Sequence, residues 1–158
     1  MSERIPHAGV RVPPPLLFVA GVTAGWLLDR YWHAIPLSVA RRSIVEWIGL
    51  VLVVAGFALM YWGTFTFRRH RTAIIPRLPA SRRVTSGPYR FTRNPMYTGF
   101  TIAYLGAAGL LDSAWPLFLL PIVLASLIRF VIRREEAYLA DAFGAEYAAY
   151  CARVRRWI

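Results

Sequence analysis

Residues 47–67 form a run of 21 positions without a charge, flanked by Glu46 on one side and Arg68-Arg69 on the other. A helix over that run rises about 31 Å, enough to cross the hydrocarbon of a bilayer. Backbone in hydrocarbon must satisfy its own hydrogen bonds, so a run of this kind has to be helical. Trp47, Tyr61 and Trp62 stand where interfacial aromatics would anchor it. Three more apolar runs accompany it. Residues 16–28 can be extended to 36 with Asp29 and Arg30 at the interface; the core has the length of a signal-peptide core, but no small-residue cleavage site follows, and we read it as an uncleaved span. Residues 96–111 carry Gly99, Gly106 and Gly109, of which Gly106 and Gly109 read as close helix contacts. Residues 113–132 are interrupted only by Arg129 and contain Pro121, which kinks a helix by removing a backbone bond. Asp112-Ser113 reads as a tight turn that makes the last two runs a hairpin. The expected fold is all-α: a polytopic membrane protein with one domain over 1–158 and about four spans, at 16–36, 47–67, 96–111 and 113–132.

Charge orients the chain. The net charge is +11, and all 19 basic residues are arginine. Without lysine, neither a lysine Schiff base nor a P-loop lysine exists. Residues 68–93 hold eight arginines and no acid, whereas the loop after the first run sets Arg30, Arg41 and Arg42 against Asp29 and Glu46. The basic loop is therefore expected in the cytoplasm, and with four spans both termini join it. Arginines flanking apolar runs point to a lipid bilayer rather than to nucleic acid. Cys151 is the only cysteine, and His7, His33 and His70 are scattered, so no metal site is expected. The lysine-free, alanine- and arginine-rich composition points to a GC-rich bacterial genome and hence an inner membrane.

Two polar segments are richer than connecting loops require. One is Gly87-Pro88-Tyr89-Arg90-Phe91-Thr92-Arg93-Asn94-Pro95-Met96-Tyr97-Thr98-Gly99; the other runs from Arg133-Arg134-Glu135-Glu136 through Leu139, Phe143-Gly144, Tyr147 and Tyr150. An antiparallel helix pair lies between them, so both should end at the same interface. Pro95 keeps Asn94 out of the helical region and can begin a helix whose free amides meet an anion. The two glutamates would terminate the fourth helix, the unfavourable end for acids, and so need arginine partners or a function. Leu139, Phe143, Tyr147 and Tyr150 make one apolar stripe, expected on an amphipathic segment folded back under the membrane, with Gly144 a weak point.

These two segments, in this order and with a hairpin between them, resemble the isoprenylcysteine carboxyl methyltransferase and phospholipid methyltransferase superfamily. The likeness covers residues 84–158, about half the chain. Asn94 stands where many isoprenylcysteine-type members have histidine, which is closer to the phospholipid-type and bacterial members; Val154-Arg155-Arg156-Trp157 lacks a proline common in the family. The resemblance implies an S-adenosylmethionine-dependent methyltransferase acting on a lipophilic acceptor, either isoprenylcysteine carboxylate-like or phospholipid amine-like. It implies a cofactor pocket lined by Tyr89, Arg93, Asn94, Pro95, Tyr97, Gly99, Glu135, Glu136 and Tyr147. Glu136, Arg93 and Tyr97 would carry the chemistry, Glu136 as base toward an amine acceptor, and Arg129 either snorkels or meets the substrate. Two other readings stand beside it: an NADPH-dependent membrane reductase of related fold, and a non-catalytic membrane subunit.

Overall fold

The computed structural model describes residues 12–37, 42–69 and 85–157. Arg41, most of the basic loop (Arg71, Arg77, Arg82, Arg83), Val84 and Ile158 lie outside them. Among the described residues every regular element is helical: α1 (Pro14–Tyr31), α2 (Arg42–Arg69), a 3-10 turn (Gly87–Arg90), α3 (Pro95–Leu111), α4 (Trp115–Leu127), a π-helical turn (Ile128–Ile132) and α5 (Arg133–Arg153).

α2 and α3 form an antiparallel pair whose spacing is set by glycine. A Cβ on Gly56 would lie 2.5 Å from the Gly99 carbonyl oxygen, and one on Gly49 would lie 2.7 Å from that of Gly106. Backbones this close leave room for hydrogen alone, and the seven-residue steps 49, 56 and 63 keep one glycine face along α2. α1 packs on the other side of α3, with Phe18 stacked on Phe100 at 5.3 Å and edge-on to Tyr104 at 6.2 Å. Gly21 and Gly25 let α1 approach Val123 and Pro116 of α4. The Tyr104 hydroxyl donates to the Pro116 carbonyl at 2.7 Å, tying α3 to the start of α4. Phe18, Tyr97, Tyr104, Val123, Leu127, Val131 and Ile132 make the core.

The first helix is shorter than the expected 16–36. It stops at Tyr31, where the Trp32 and His33 amides both turn back to the Leu28 carbonyl. Residues 32–37 then close over the α3–α4 turn. The Ile35 carbonyl accepts from the Ala114 amide at 2.8 Å, Trp115 Nε1 donates to the His33 carbonyl at 2.6 Å, and Trp32 stacks on Trp115. Asp112 takes left-handed backbone (φ 50°), the conformation that ends α3 and frees the chain to reverse.

The fourth helix departs from expectation at its other end. It does not terminate at Ile132 but passes through the π-helical turn into α5, and the helical run continues as far as Gly144. Glu135 and Glu136 therefore sit inside a helix rather than at its C-terminal end, and the unfavourable dipole position expected for them does not arise. The helix kinks later, at Gly144 (φ 48°, ψ −124°), a backbone state that a side chain disfavours.

Two helices, Arg42–Thr66 and Trp115–Arg153, are long and apolar enough to cross a membrane. Only 17% and 28% of their most apolar windows are buried, whereas a core helix of a soluble protein would be mostly covered. Trp47, Val51, Val54, Phe57, Tyr61 and Phe65 of α2, with Phe118, Ile122 and Phe130 beyond, are all exposed. An apolar girdle of this extent is a surface for lipid.

Candidate active site

The two polar segments meet at the end of the bundle where α2 finishes and α3 begins. Gly87 opens the first with φ +59°, and a Cβ there would sit 2.7 Å from Thr66 Oγ1 of α2, so only glycine seats this turn. Pro88 and Tyr89 are buried beneath it. Pro95 sets the first turn of α3, and no side chain caps that start. Thr98 turns its amide and hydroxyl back to the Asn94 carbonyl.

From the first turn of α3, the Tyr97 hydroxyl donates to Glu135 Oε1 at 2.6 Å. Glu136, one residue on, meets two arginines. Arg156 grips it with both arms, Nε to Oε1 at 2.9 Å and Nη2 to Oε2 at 2.7 Å, and Arg93 Nη1 lies 3.4 Å from Oε1. Arg93 Nη1 also reaches Cys151 Sγ at 2.8 Å, while its Nε is buried with no hydrogen-bond partner. Burial pushes the Glu135 carboxyl up to about 7; the Tyr97 bond opposes this and the neighbouring Glu136 adds to it.

α5 supplies the cover. Past Gly144, Tyr147 and Tyr150 are buried, with ring centroids 6.3 Å apart, and the Tyr150 hydroxyl donates to the Tyr89 carbonyl at 2.8 Å. Burial and the adjacent Cys151 raise the Tyr147 phenol above its ordinary value, keeping it protonated. The chain then leaves the helix at Val154 and lies along residues 92–94. The Arg93 amide donates to the Arg155 carbonyl at 2.9 Å, and Thr92 Oγ1 and Asn94 Nδ2 both donate to the Arg156 carbonyl at 3.0 and 3.1 Å.

Of the residues singled out from sequence, Tyr89, Arg93, Asn94, Pro95, Tyr97, Glu135, Glu136 and Tyr147 thus gather in one place. Gly99 does not share that setting: it sits in the α2–α3 seam against Gly56 and Met60, and packing alone accounts for it. Arg129 lies exposed in the π-helical turn, 6.0 Å from the Phe130 ring centroid, without an ion pair among the described residues. Sequence reasoning missed Arg156, Thr92 and the π-helical turn. The cue was present in Arg155-Arg156-Trp157, read there only as a departure from a pattern.

The donor set suits a small zwitterion. Arg93, with one buried nitrogen unsatisfied, and the uncapped start of α3 suit a carboxylate; the paired glutamates suit an ammonium or vicinal hydroxyls; aromatic faces suit a cationic centre. Fold and site together define an all-helical membrane protein with an acid–arginine site at one end of its bundle. The chain belongs to the phospholipid methyltransferase family, which matches residues 44–146. It is 31% identical over 113 residues to a probable protein-S-isoprenylcysteine O-methyltransferase of rice, covering 70% of this chain and 59% of the relative. Identity is 40% over 67 residues to the protein-S-isoprenylcysteine O-methyltransferase of Schizosaccharomyces pombe, covering 42% and 28%. It is 37% over 70 residues to the cobalt-zinc-cadmium resistance protein CzcN of Cupriavidus metallidurans, covering 44% and 32%. The chain thus spans less than two thirds of the length of each of these relatives.

Proposed function

We propose that the protein transfers a methyl group from S-adenosylmethionine to a lipophilic acceptor that reaches the site from within the bilayer. The observation that carries this reading is the meeting of Arg93 and Tyr97 with Glu135 and Glu136 at the end of a lipid-exposed bundle. In this reading all four long helical segments cross the membrane, with the arginine-rich end in the cytoplasm of a bacterial inner membrane and both termini on that side. Family membership supports the reaction class.

Arg93 and the α3 start would take the cofactor's carboxylate, with Asn94 and Pro95 shaping that start. Glu135 and Glu136 would take its ammonium or ribose hydroxyls, and the faces of Tyr89, Tyr97 and Tyr147 would surround the sulfonium at about 1 kcal/mol per contact. Bound there, S-adenosylmethionine supplies an electrophilic methyl group for in-line displacement. The protein's own contribution is orientation and exclusion of water. A carboxylate acceptor needs no base; an amine acceptor needs one, and the glutamates are the nearest candidates. Asn94 in place of histidine favours a phospholipid amine or small lipophilic acceptor over a prenylated cysteine.

Purified protein titrated with S-adenosylmethionine and with S-adenosylhomocysteine should unfold at a higher temperature with each, by a few degrees near a hundredfold excess over Kd. No shift with either ligand contradicts the proposal. A shift with NADPH alone would replace it with a reductase.

A further inference from the structure

The two adjacent glutamates are bound in different ways, and the difference assigns them different work. Glu136 has both oxygens engaged by Arg156 in a bidentate grip, with Arg93 approaching Oε1 as a second cation. Glu135 has one oxygen engaged by the Tyr97 hydroxyl and, among the described residues, no cation within salt-bridge reach. Arg156 is held in turn by its own backbone: its carbonyl accepts from Thr92 and Asn94, and the preceding carbonyl accepts from the Arg93 amide. Trp157 packs against the hydrophobic core. Residues 154–157 are therefore a strap fastened to the α3 entry loop at three points and to α5 through one ion pair.

We propose that Arg156 is a positioning residue of the methyl-transfer site: it fixes Glu136 as a keystone between the strap and Arg93, leaving Glu135 as the carboxylate that receives the ligand's cationic group. This rests on the function proposed above. A bidentate carboxylate with a second cationic neighbour is a poor partner for an incoming ammonium, which would have to displace an arginine; Glu135 has an oxygen to offer and a tyrosine to hold its rotamer. Asn94 and Thr92 then act through the strap, since their side-chain donors are directed to the Arg156 carbonyl.

The test is isothermal titration of the whole protein in detergent with S-adenosylmethionine and S-adenosylhomocysteine, paired with thermal unfolding of each variant without ligand. Glu135→Gln should weaken binding at least tenfold. Arg156→Ala and Glu136→Gln should each weaken it by a similar smaller factor, and the double variant should be no worse than either, because both remove one clamp. Arg156→Lys keeps the charge without the bidentate fork and should not rescue affinity, even though its unfolding temperature stays near wild type. Wild-type affinity in Arg156→Lys, tighter binding in Arg156→Ala, or a larger loss in Glu136→Gln than in Glu135→Gln overturns the assignment. If the wild type binds neither ligand, the proposed function falls and this assignment with it; if the wild type binds and the Arg156 variants bind as well, only the assignment falls.

Discussion

Tyr97 and Glu135 meet across 2.6 Å at the junction of two helices that are 38 positions apart in the chain. Removing that hydroxyl leaves a partly buried carboxylate without its donor, and Tyr97→Phe should lower stability by about 1.5–3 kcal/mol, read from denaturant unfolding. A stability near wild type would mean the bond contributes little. The same carboxyl gives a pH signature of known sign. Its ionisation lies at about 7 in the folded protein against an ordinary value of 4.5, so the folded state prefers the protonated form. In the ligand-free protein this group's contribution is fully present below about 4.5 and is lost as pH rises through about 7. Glu135→Gln should flatten that part of the stability profile. Affinity for a cationic ligand should run the other way, rising through the same window, and a flat affinity profile in the wild type would place the cation elsewhere.

At the scale of elements, the α2–α3 seam is the least forgiving part of the fold. A Cβ at Gly56 meets both a backbone oxygen at 2.5 Å and a backbone nitrogen at 2.6 Å, neither of which can swing aside. Gly56→Ala should cost about 1–3 kcal/mol or prevent assembly, seen as a fall in unfolding temperature. Gly144 offers the contrast. Nothing lies within 4 Å of a Cβ there, so Gly144→Ala tests backbone conformation alone. It should disfavour the kink that seats Tyr147 and Tyr150 and weaken ligand binding more than it lowers the unfolding temperature. The helices over the apolar runs and the α3 start at Pro95 were readable because each follows from local chemistry, hydropathy and fixed φ; one continuous stripe through Leu139, Phe143, Tyr147 and Tyr150 does not form, because the helix breaks at Gly144 between the two pairs. The continuation of α4 through a π-helical turn was not readable, because Arg133-Arg134-Glu135-Glu136 looks like the polar end of a span while its backbone remains helical. The strap was equally hidden, since three of its bonds come from main-chain carbonyls that any sequence possesses.

Over the whole molecule, the bundle presents exposed aromatics along its length and gathers Arg93, Glu135, Glu136 and Arg156 at one end. The opposite end is closed by Trp32, His33 and Ile35 over the Trp115 turn. In a Cys151→Ser background, single cysteines at His33 and at Arg90, both exposed positions, should label from opposite sides of a sealed vesicle. Labelling from one side would exclude the proposed four-span topology. The reaction itself gives the most direct measurement: incubate the purified protein with S-adenosylmethionine carrying a labelled methyl group, in vesicles of bacterial phospholipid supplemented with prenylated cysteine, and count label in the organic extract. Wild-type protein should yield extractable label and Glu135→Gln little; label absent from every lipophilic fraction while the wild type binds the donor would contradict methyl transfer to a lipophilic acceptor.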